Sequence, residues 1–411
     1  MTDRRIYRKD QISELPRNII EGILERMSIR DAARTSILST KWRSIWTTIS
    51  QLKLGNQFFK DTLKIKPIVK HELVSVVEKI LLLHDGPIPM FLFCIPRIRF
   101  DCSADIDRWI LFLSRNGIKD LTLINNSDNE PYKLHSCIYS CPELTRLELV
   151  NGIFKAPRKS SGFHNLISLH LKKIAFAHNI LRMLFSMSPL LQRLTIKHCT
   201  GIGNLNIRAP KLKRLLVQHN SEIQSICFTD TQNLSYIAII FGLTMGSPKS
   251  VKTPNVVRFL GDLPRIAELN LDGFFIKILA AGGVPRRLPT TANLLKKLSQ
   301  LDETSDLGKN LESGNLTCII MERNDEELVL NRLEAPNCMD RMLDKLQSVK
   351  ISYVMGLKPE LLFIKHLLAR SPVLETIFIQ HSAEVDFEKG FSISKELARF
   401  PRVSPKAAII Y

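Results

Sequence analysis

CPELTRLEL at residues 141–149 decides the fold of this 411-residue chain, because the phrase inside it, L-x-x-L-x-L, keeps returning. FHNLISLHL stands at 163–171, SPLLQRLTI at 188–196 and APKLKRLLV at 209–217. The full series runs Ile118/Leu121/Leu123, Leu144/Leu147/Leu149, Leu166/Leu169/Leu171, Leu191/Leu194/Ile196, Leu212/Leu215/Val217, Leu234/Ile237/Ile239, Ile266/Leu269/Leu271, Leu346/Val349/Ile351 and Leu374/Ile377/Ile379. From 118 to 234 the phrase returns every 21 to 26 residues. A unit of one short strand and one return segment cannot bury its apolar face alone, so neighbouring units must stack.

That interval is leucine-rich-repeat spacing and predicts an α/β fold in which the units form a curved solenoid. The three apolar positions point inward, and the residues between and after them point to the opposite, concave face. Pro142, Pro189, Pro210, Pro264 and Pro372 each stand two residues before a first apolar position, where a proline ends the preceding segment and leaves the strand unbroken. The Asn or Cys common after the third position is kept only at Asn151, Cys199 and Asn220. The outward positions are Arg146 and Glu148; Ser168, His170 and Lys172; Arg193, Thr195 and Lys197; Arg214, Leu216 and Gln218; Tyr236, Ala238 and Ile240; and Glu268, Asn270 and Asp272. The face runs basic, then apolar, then acidic, which suits a partner with an acidic end and a hydrophobic anchor. His170, Lys172, Arg193, Lys197, Arg214, Tyr236, Glu268 and Asp272 are the candidate substrate-binding residues; a plain solvated sheet is the competing reading.

Around the repeats, residues 69–83 have helical spacing at Leu73, Val76, Val77, Ile80 and Leu81. Residues 90–100 read as a strand, and Ser103 is placed to cap a helix through Trp109 to Leu113. This block is expected to seal the solenoid's first end and to join it rigidly to what precedes. In 280–340 the pattern falters: Leu295 and Leu298 lack a third apolar partner, and 302–315 is polar. A repeat there is expected to be shortened or lost.

Residues 10–46 read DQISELPRNIIEGILERMSIRDAARTSILSTKWRSIW. Three short amphipathic helices are expected: one opening at Pro16 with Ile19, Ile20, Ile23, Leu24 and Met27; one opening on the capping box Ser28–Asp31; one carrying Trp42, Ile45 and Trp46. Some 40 residues are too few to bury a core of their own, so a partner must cover part of them. The pair Leu15–Pro16, the pair Ile23–Leu24, the run Asp31–Arg34 and the run Ser39–Arg43 make this segment resemble the F-box. The resemblance implies docking on a Skp-type adaptor, which connects to cullin and RING subunits of a ubiquitin ligase. Leu15, Pro16, Ile19, Ile23, Leu24, Ile37, Leu38 and Trp42 are the candidate adaptor-binding residues; some must also pack the helices together.

The C-terminal block, with LDKLQSVKISYVMG at 343–356, a helix over 359–369, SPVLETIFI at 371–379 and KELARFPRVSP at 395–405, is similar to the FBD module of plant F-box proteins. Together these matches resemble the plant F-box/FBD/LRR-repeat family. They imply an N-terminal three-helix F-box at 8–50, a linker and cap at 51–115, leucine-rich repeats at 116–280, an irregular region at 281–340 and an FBD-like block at 341–411 that continues the α/β repeat. The implied function is that of a non-catalytic substrate receptor in a Skp–cullin–F-box ligase, holding an unknown protein substrate on the concave face.

Composition agrees with a soluble, two- or three-part chain: 45% hydrophobic, 24% charged, with no apolar run of the ~18 residues a membrane span needs. Residues 1–9 are basic and polar with no apolar segment following, so no secretory signal is expected and the protein is placed inside the cell, in nucleus or cytoplasm. The eight cysteines form no CxxC pair, and neither a metal nor a cofactor is expected. No G-x-S-x-G, H-E-x-x-H or kinase pattern occurs, and Gly282–Gly283 is not followed by a P-loop lysine. The net charge of +18, from 58 Lys+Arg against 40 Asp+Glu, is spread along the chain without a nucleic-acid-binding motif. It leaves one alternative: a binding scaffold outside any ligase, using its basic surface for nucleic acid or an acidic protein.

Overall fold

A computed structural model of the chain describes residues 14–62, 70–96, 102–126, 131–134, 136–154, 162–177, 180–218, 223, 225–240, 268–271, 297–300, 345–354, 356, 358–381 and 385–411. The chain divides into two compact units, 1–170 and 171–411.

The first unit opens with α1 (Arg17–Leu24) and α2 (Ile29–Arg34). Pro16 stands just before the first helical residue. Ser28 caps α2: its oxygen accepts the Asp31 N–H at 3.2 Å, while its hydroxyl donates to the Asp31 carboxylate at 2.7 Å. The expected third α-helix is not formed. Thr35–Ile37 and Ile45–Thr48 are short 3-10 turns, the second carrying Ile45 and Trp46. Three or four residues close only one or two i→i+3 bonds, too few to sustain a longer helix.

The chain passes straight from these turns into β1 (Gln51–Leu54), then α3 (Asn56–Thr62), α4 (Lys70–Leu83), β2 (Met90–Ile95), α5 (Ser103–Arg115), β3 (Asp120–Asn125), β4 (Tyr132–Leu134) and β5 (Arg146–Phe154). Residues 51–54, at the start of the expected linker and cap, form a sheet strand. Parallel strands run in the order β1-β2-β3-β5, with β4 beside the end of β5. Ser103 is the first helical residue of α5, with Cys102 in the cap position, so the expected serine cap lies one residue off. Phe58, Phe59, Phe91, Phe93 and Trp109 pack edge-on or stacked at centroid distances of 5.0 to 6.3 Å, filling the start of this core.

β6 (Ser168–Phe176) straddles the division between units. The second unit continues with α6 (Ile180–Ser186), β7 (Arg193–Lys197), β8 (Asn204–Arg208), β9 (Arg214–Gln218), β10 (Ser225–Thr229), β11 (Tyr236–Ile240), β12 (Glu268–Leu271), β13 (Lys297–Gln300), β14 (Ser348–Val354), α7 (Lys358–Arg370), β15 (Thr376–His381), α8 (Phe387–Ala398) and β16 (Ala408–Ile410). Its main ladder runs β6-β7-β9-β11-β12-β13-β14-β15-β16, while β8 and β10 form a separate parallel pair. The repeat expected to be shortened or lost near residue 300 keeps its strand. β13 pairs with β12 through Leu298↔Leu269 and with β14 through Leu298↔Val349. A ladder needs backbone donors and acceptors, and the polar Gln300 at the third position removes neither.

Every described side chain of the nine-copy series is buried. Two further copies precede it: Ile49/Leu52/Leu54, which keeps the phrase but adjoins the N-terminal helices, and Ile88/Phe91/Phe93, which fills it with aromatics; all six side chains are buried. Among the described residues, six copies are entered by the same turn. Leu144, Leu191, Leu212 and Leu374 donate to the carbonyls of Cys141, Ser188, Ala209 and Ser371, at 3.1 to 3.3 Å. Pro142, Pro189, Pro210 and Pro372 hold the second turn position, which their ring geometry pre-sets; Pro264 lies outside the described residues. Asparagines tie turns across one repeat: the Asn165 amide donates to Pro142 O at 2.9 Å and that of Asn233 to Pro210 O at 2.7 Å. Parallel strands are usually buried on both faces. Here β5, β6, β7 and β9 begin by alternating buried with half-buried or exposed residues, so one face of the sheet is open.

Candidate functional site

Among the described residues two surfaces are candidates for a partner. On the N-terminal helices, Ile20, Leu24, Ile29, Ala32, Trp42, Ile45 and Ile49 form the interior. Of the eight residues expected to meet an adaptor, Leu24 (0% exposed) and Trp42 (3%) belong to that interior and present no side chain at the surface. Leu15 is half-buried and Pro16 exposed; Ile19 (47%), Ile23 (39%), Ile37 (86%) and Leu38 (60%) lie at the surface. Met27 joins them, a residue whose helical spacing was legible but whose side the sequence could not assign. Ile19 and Ile23 are four apart and share a stripe of α1. The Lys41 ammonium donates to Leu15 O at 2.7 Å, pinning the start of the segment to its last loop. α2 packs against β1, so this apolar surface is carried directly on the first strand of the sheet.

The second surface is the open face of the sheet. In the first unit its charges are paired. Arg146 lies 3.8 Å from Asp120 and 3.5 Å from Glu148, and His170 Nδ1 lies 3.8 Å from Glu148 Oε1. His170, with Arg146 behind it, holds the Glu148 carboxyl below the usual range, whereas burial pushes that of Asp120 up. The basic beginning expected for this face is therefore compensated. Asp120, the outward residue of the Ile118 copy, supplies an acid one strand before Arg146.

The second unit differs. Lys172, Arg193 and Arg214 are exposed, and Thr195, Lys197, Leu216 and Tyr236 half-buried. Gln218 and Ala238, expected to face outward, are buried. Ala238 is in register with Leu216, and its methyl is too short to rise above larger neighbours. Arg193 is in register with Arg214, and Arg214 with Tyr236, whose ring carries the Arg214 guanidinium 4.1 Å from its centroid. Glu268 takes the register position beyond Tyr236 on β12. Asp272 lies outside the described residues.

Among the described residues no cluster of three His, Cys, Asp or Glu could hold a metal ion, and no helix is long and apolar enough to cross a membrane. The thiols of Cys137, Cys141 and Cys199 are pushed up by burial, the first two to about 12 and the last to about 11, which makes them poor nucleophiles.

Stacked strand-and-return units behind a short helical segment with an uncovered apolar surface define an F-box protein with leucine-rich repeats. Residues 12–53 match the F-box domain, and residues 106–301 match the LRR repeats of FBD-associated F-box protein At5g56370. F-box/FBD/LRR-repeat protein At1g13570 of Arabidopsis thaliana is 34% identical over 435 residues, covering 98% of this chain and 98% of that protein. FBD-associated F-box protein At5g22730 of the same plant is 24% identical over 461 residues, covering 98% and 94%. The chain belongs to the F-box/FBD/LRR-repeat family.

Proposed function

We propose that this protein is the substrate receptor of a Skp–cullin–F-box ubiquitin ligase, acting in the nucleus or cytoplasm. The observation that supports this best is the set of exposed apolar side chains at Ile19, Ile23, Met27, Ile37 and Leu38, on a segment matched to the F-box and fused to a repeat sheet. Exposed apolar residues concentrated on one small segment ask for a partner. We read the repeats as a curved solenoid whose open face takes a protein substrate, with 8–50 as the F-box, 51–115 as the cap, 116–280 as the repeats, 281–340 as the irregular region and 341–411 as the FBD block.

The receptor itself performs no chemistry in this reading. It holds the substrate near a ubiquitin-charged enzyme, so that a bimolecular encounter becomes effectively intramolecular. The direct connection of α2 to β1 favours such a role, because a fixed F-box fixes where the substrate is presented.

Co-purification with a plant Skp-type adaptor tests the proposal. The full-length chain is expected to form a stoichiometric complex that Ile37→Asp/Leu38→Asp abolishes without unfolding the protein. Leu24→Ala and Trp42→Ala are unsuitable probes, since loss of core packing would mimic loss of contact. A folded chain that binds no adaptor sinks the ligase reading and leaves the scaffold, with its +18 charge, as the alternative.

A further inference from the structure

Arg193 and Arg214 occupy paired positions on neighbouring parallel strands, about 4.8 Å apart at the backbone. Among the described residues neither has a carboxylate within ion-pair distance, in contrast to Arg146. Like charges placed side by side on a sheet destabilise it, so the free protein carries a small cost at this point. The Arg214 guanidinium carbon lies over the Tyr236 ring, 4.1 Å from its centroid, a contact that steadies the cation without neutralising its charge. Two residues along the same strands, the outward row changes to Thr195, Leu216 and Ala238, which is mostly apolar. The nearest acidic register position, Glu268, is two strands beyond Arg214, or about 10 Å.

We propose that the open face of β7, β9 and β11 is an acceptor for an acidic, extended segment of a partner protein. A carboxylate of the segment is clamped between Arg193 and Arg214, and an apolar side chain two positions away rests on Leu216. The inference deepens the substrate reading above and rests on it. Charge complementarity names the occupant: two uncompensated forked cations match a carboxylate, whose two oxygens accept paired N–H bonds. The roughly 7 Å between the two rows equals the spacing of alternate residues in an extended chain, which put their side chains on one side. Phosphate sites generally add backbone N–H donors from a helix terminus or a turn. Here the strands only begin, and the bordering N–H groups are already bonded: those of Lys213 and Arg214 to Gln192 O, those of Ser235 and Tyr236 to Lys213 O.

The test is fluorescence anisotropy with the full-length protein, in complex with its adaptor where that complex forms. The probes are four labelled oligomers: a 12-residue peptide alternating Glu with Leu and Ser, the same peptide with Gln for Glu, the same with phosphoserine for Glu, and a single-stranded RNA of equal charge. The Glu peptide is expected to bind at least tenfold more tightly than the Gln peptide, with an affinity that falls as salt rises. Arg193→Gln/Arg214→Gln should weaken it at least tenfold and Tyr236→Ala about threefold, while Arg146→Gln changes it less than twofold. The Arg193→Gln/Arg214→Gln protein should melt at the same temperature or higher, the signature of a binding site rather than a packing role. Equal binding of the Gln peptide, no binding of any peptide, indifference to the double variant, or tighter binding of the RNA would each overturn the proposal. A preference above tenfold for phosphoserine would overturn the assignment to a carboxylate. Adaptor capture by the double variant, read in parallel, separates failure of this site from failure of the receptor reading, because neither arginine lies in the F-box.

Discussion

Leu215 and Ile37 have similar side chains and opposite fates. Leu215 is fully buried at the second position of its repeat, and Ile37 projects from a 3-10 turn. Leu215→Ala should cost about 2–5 kcal/mol of unfolding free energy, from lost transfer and the cavity left behind. Ile37→Ser should change stability by no more than about 0.5 kcal/mol; urea denaturation of both variants checks the contrast. Gly201 has φ +77°, and a Cβ there would meet Phe176 O at 2.2 Å. Gly201→Ala should therefore cost more than about 1 kcal/mol, with no relief from a flexible neighbour. The carboxylates of the open face make a prediction in pH. Asp120 is raised and Glu148 lowered, so Asp120 should titrate above, and Glu148 below, the free-acid values of about 3.9 and 4.3. The stability Glu148 adds is present above about pH 4.3 and is lost as the pH falls through its depressed folded value. Asp120 acts oppositely, costing stability as the pH rises through its raised value. Carboxyl NMR of the wild type checks both directions, and Glu148→Gln should bring Asp120 down, since the Glu148 charge helps to raise it.

At the scale of the element, the repeat joins a Pro-opened turn and three buried positions to a left-handed residue. Asn151, Lys173 and His198 each stand two residues beyond a third apolar position with φ between 52° and 58°. Asparagine tolerates that region well, and its amide donates to Asn125 O at 3.3 Å. Lys173 has no such advantage, and the pattern of buried leucines does not announce the conformation. Neither does it announce how α8 is clothed. Buried Gly390, Ile393 and Leu397 lie on one side of that helix, while Phe387 (89% exposed) and Phe391 (66%) project from another. Phe387→Ser/Phe391→Ser should leave the melting temperature within about 2 °C of wild type while raising the concentration at which the protein self-associates, as light scattering would show.

At the scale of the whole molecule, the boundary between helices and sheet was legible only in part. Ile49, Leu52 and Leu54 follow the repeat phrase but adjoin the F-box, and Ile88, Phe91 and Phe93 satisfy it with aromatics. β1 is thus the first strand of the sheet and also the floor for α2. Hydrogen exchange on the full chain should protect those amides of 51–54 that donate to β2 as long as those of 91–95. Early exchange in β1 would mean that the F-box hangs on a hinge and presents a substrate less firmly.

The sequence by itself determined the units: their period, their three inward positions, their prolines, and the family, because each of these is written within some 25 consecutive residues. Tertiary structure alone decided which of Ile19 and Ile20 faces inward, that Trp42 is core, that Arg146 is answered by Asp120 and Glu148, and that Arg193, beside Arg214, has no carboxylate partner among the described residues. Those facts turn on register and packing between residues a full repeat or more apart, or on the choice between chemically equal neighbours. A local pattern carries no information about either.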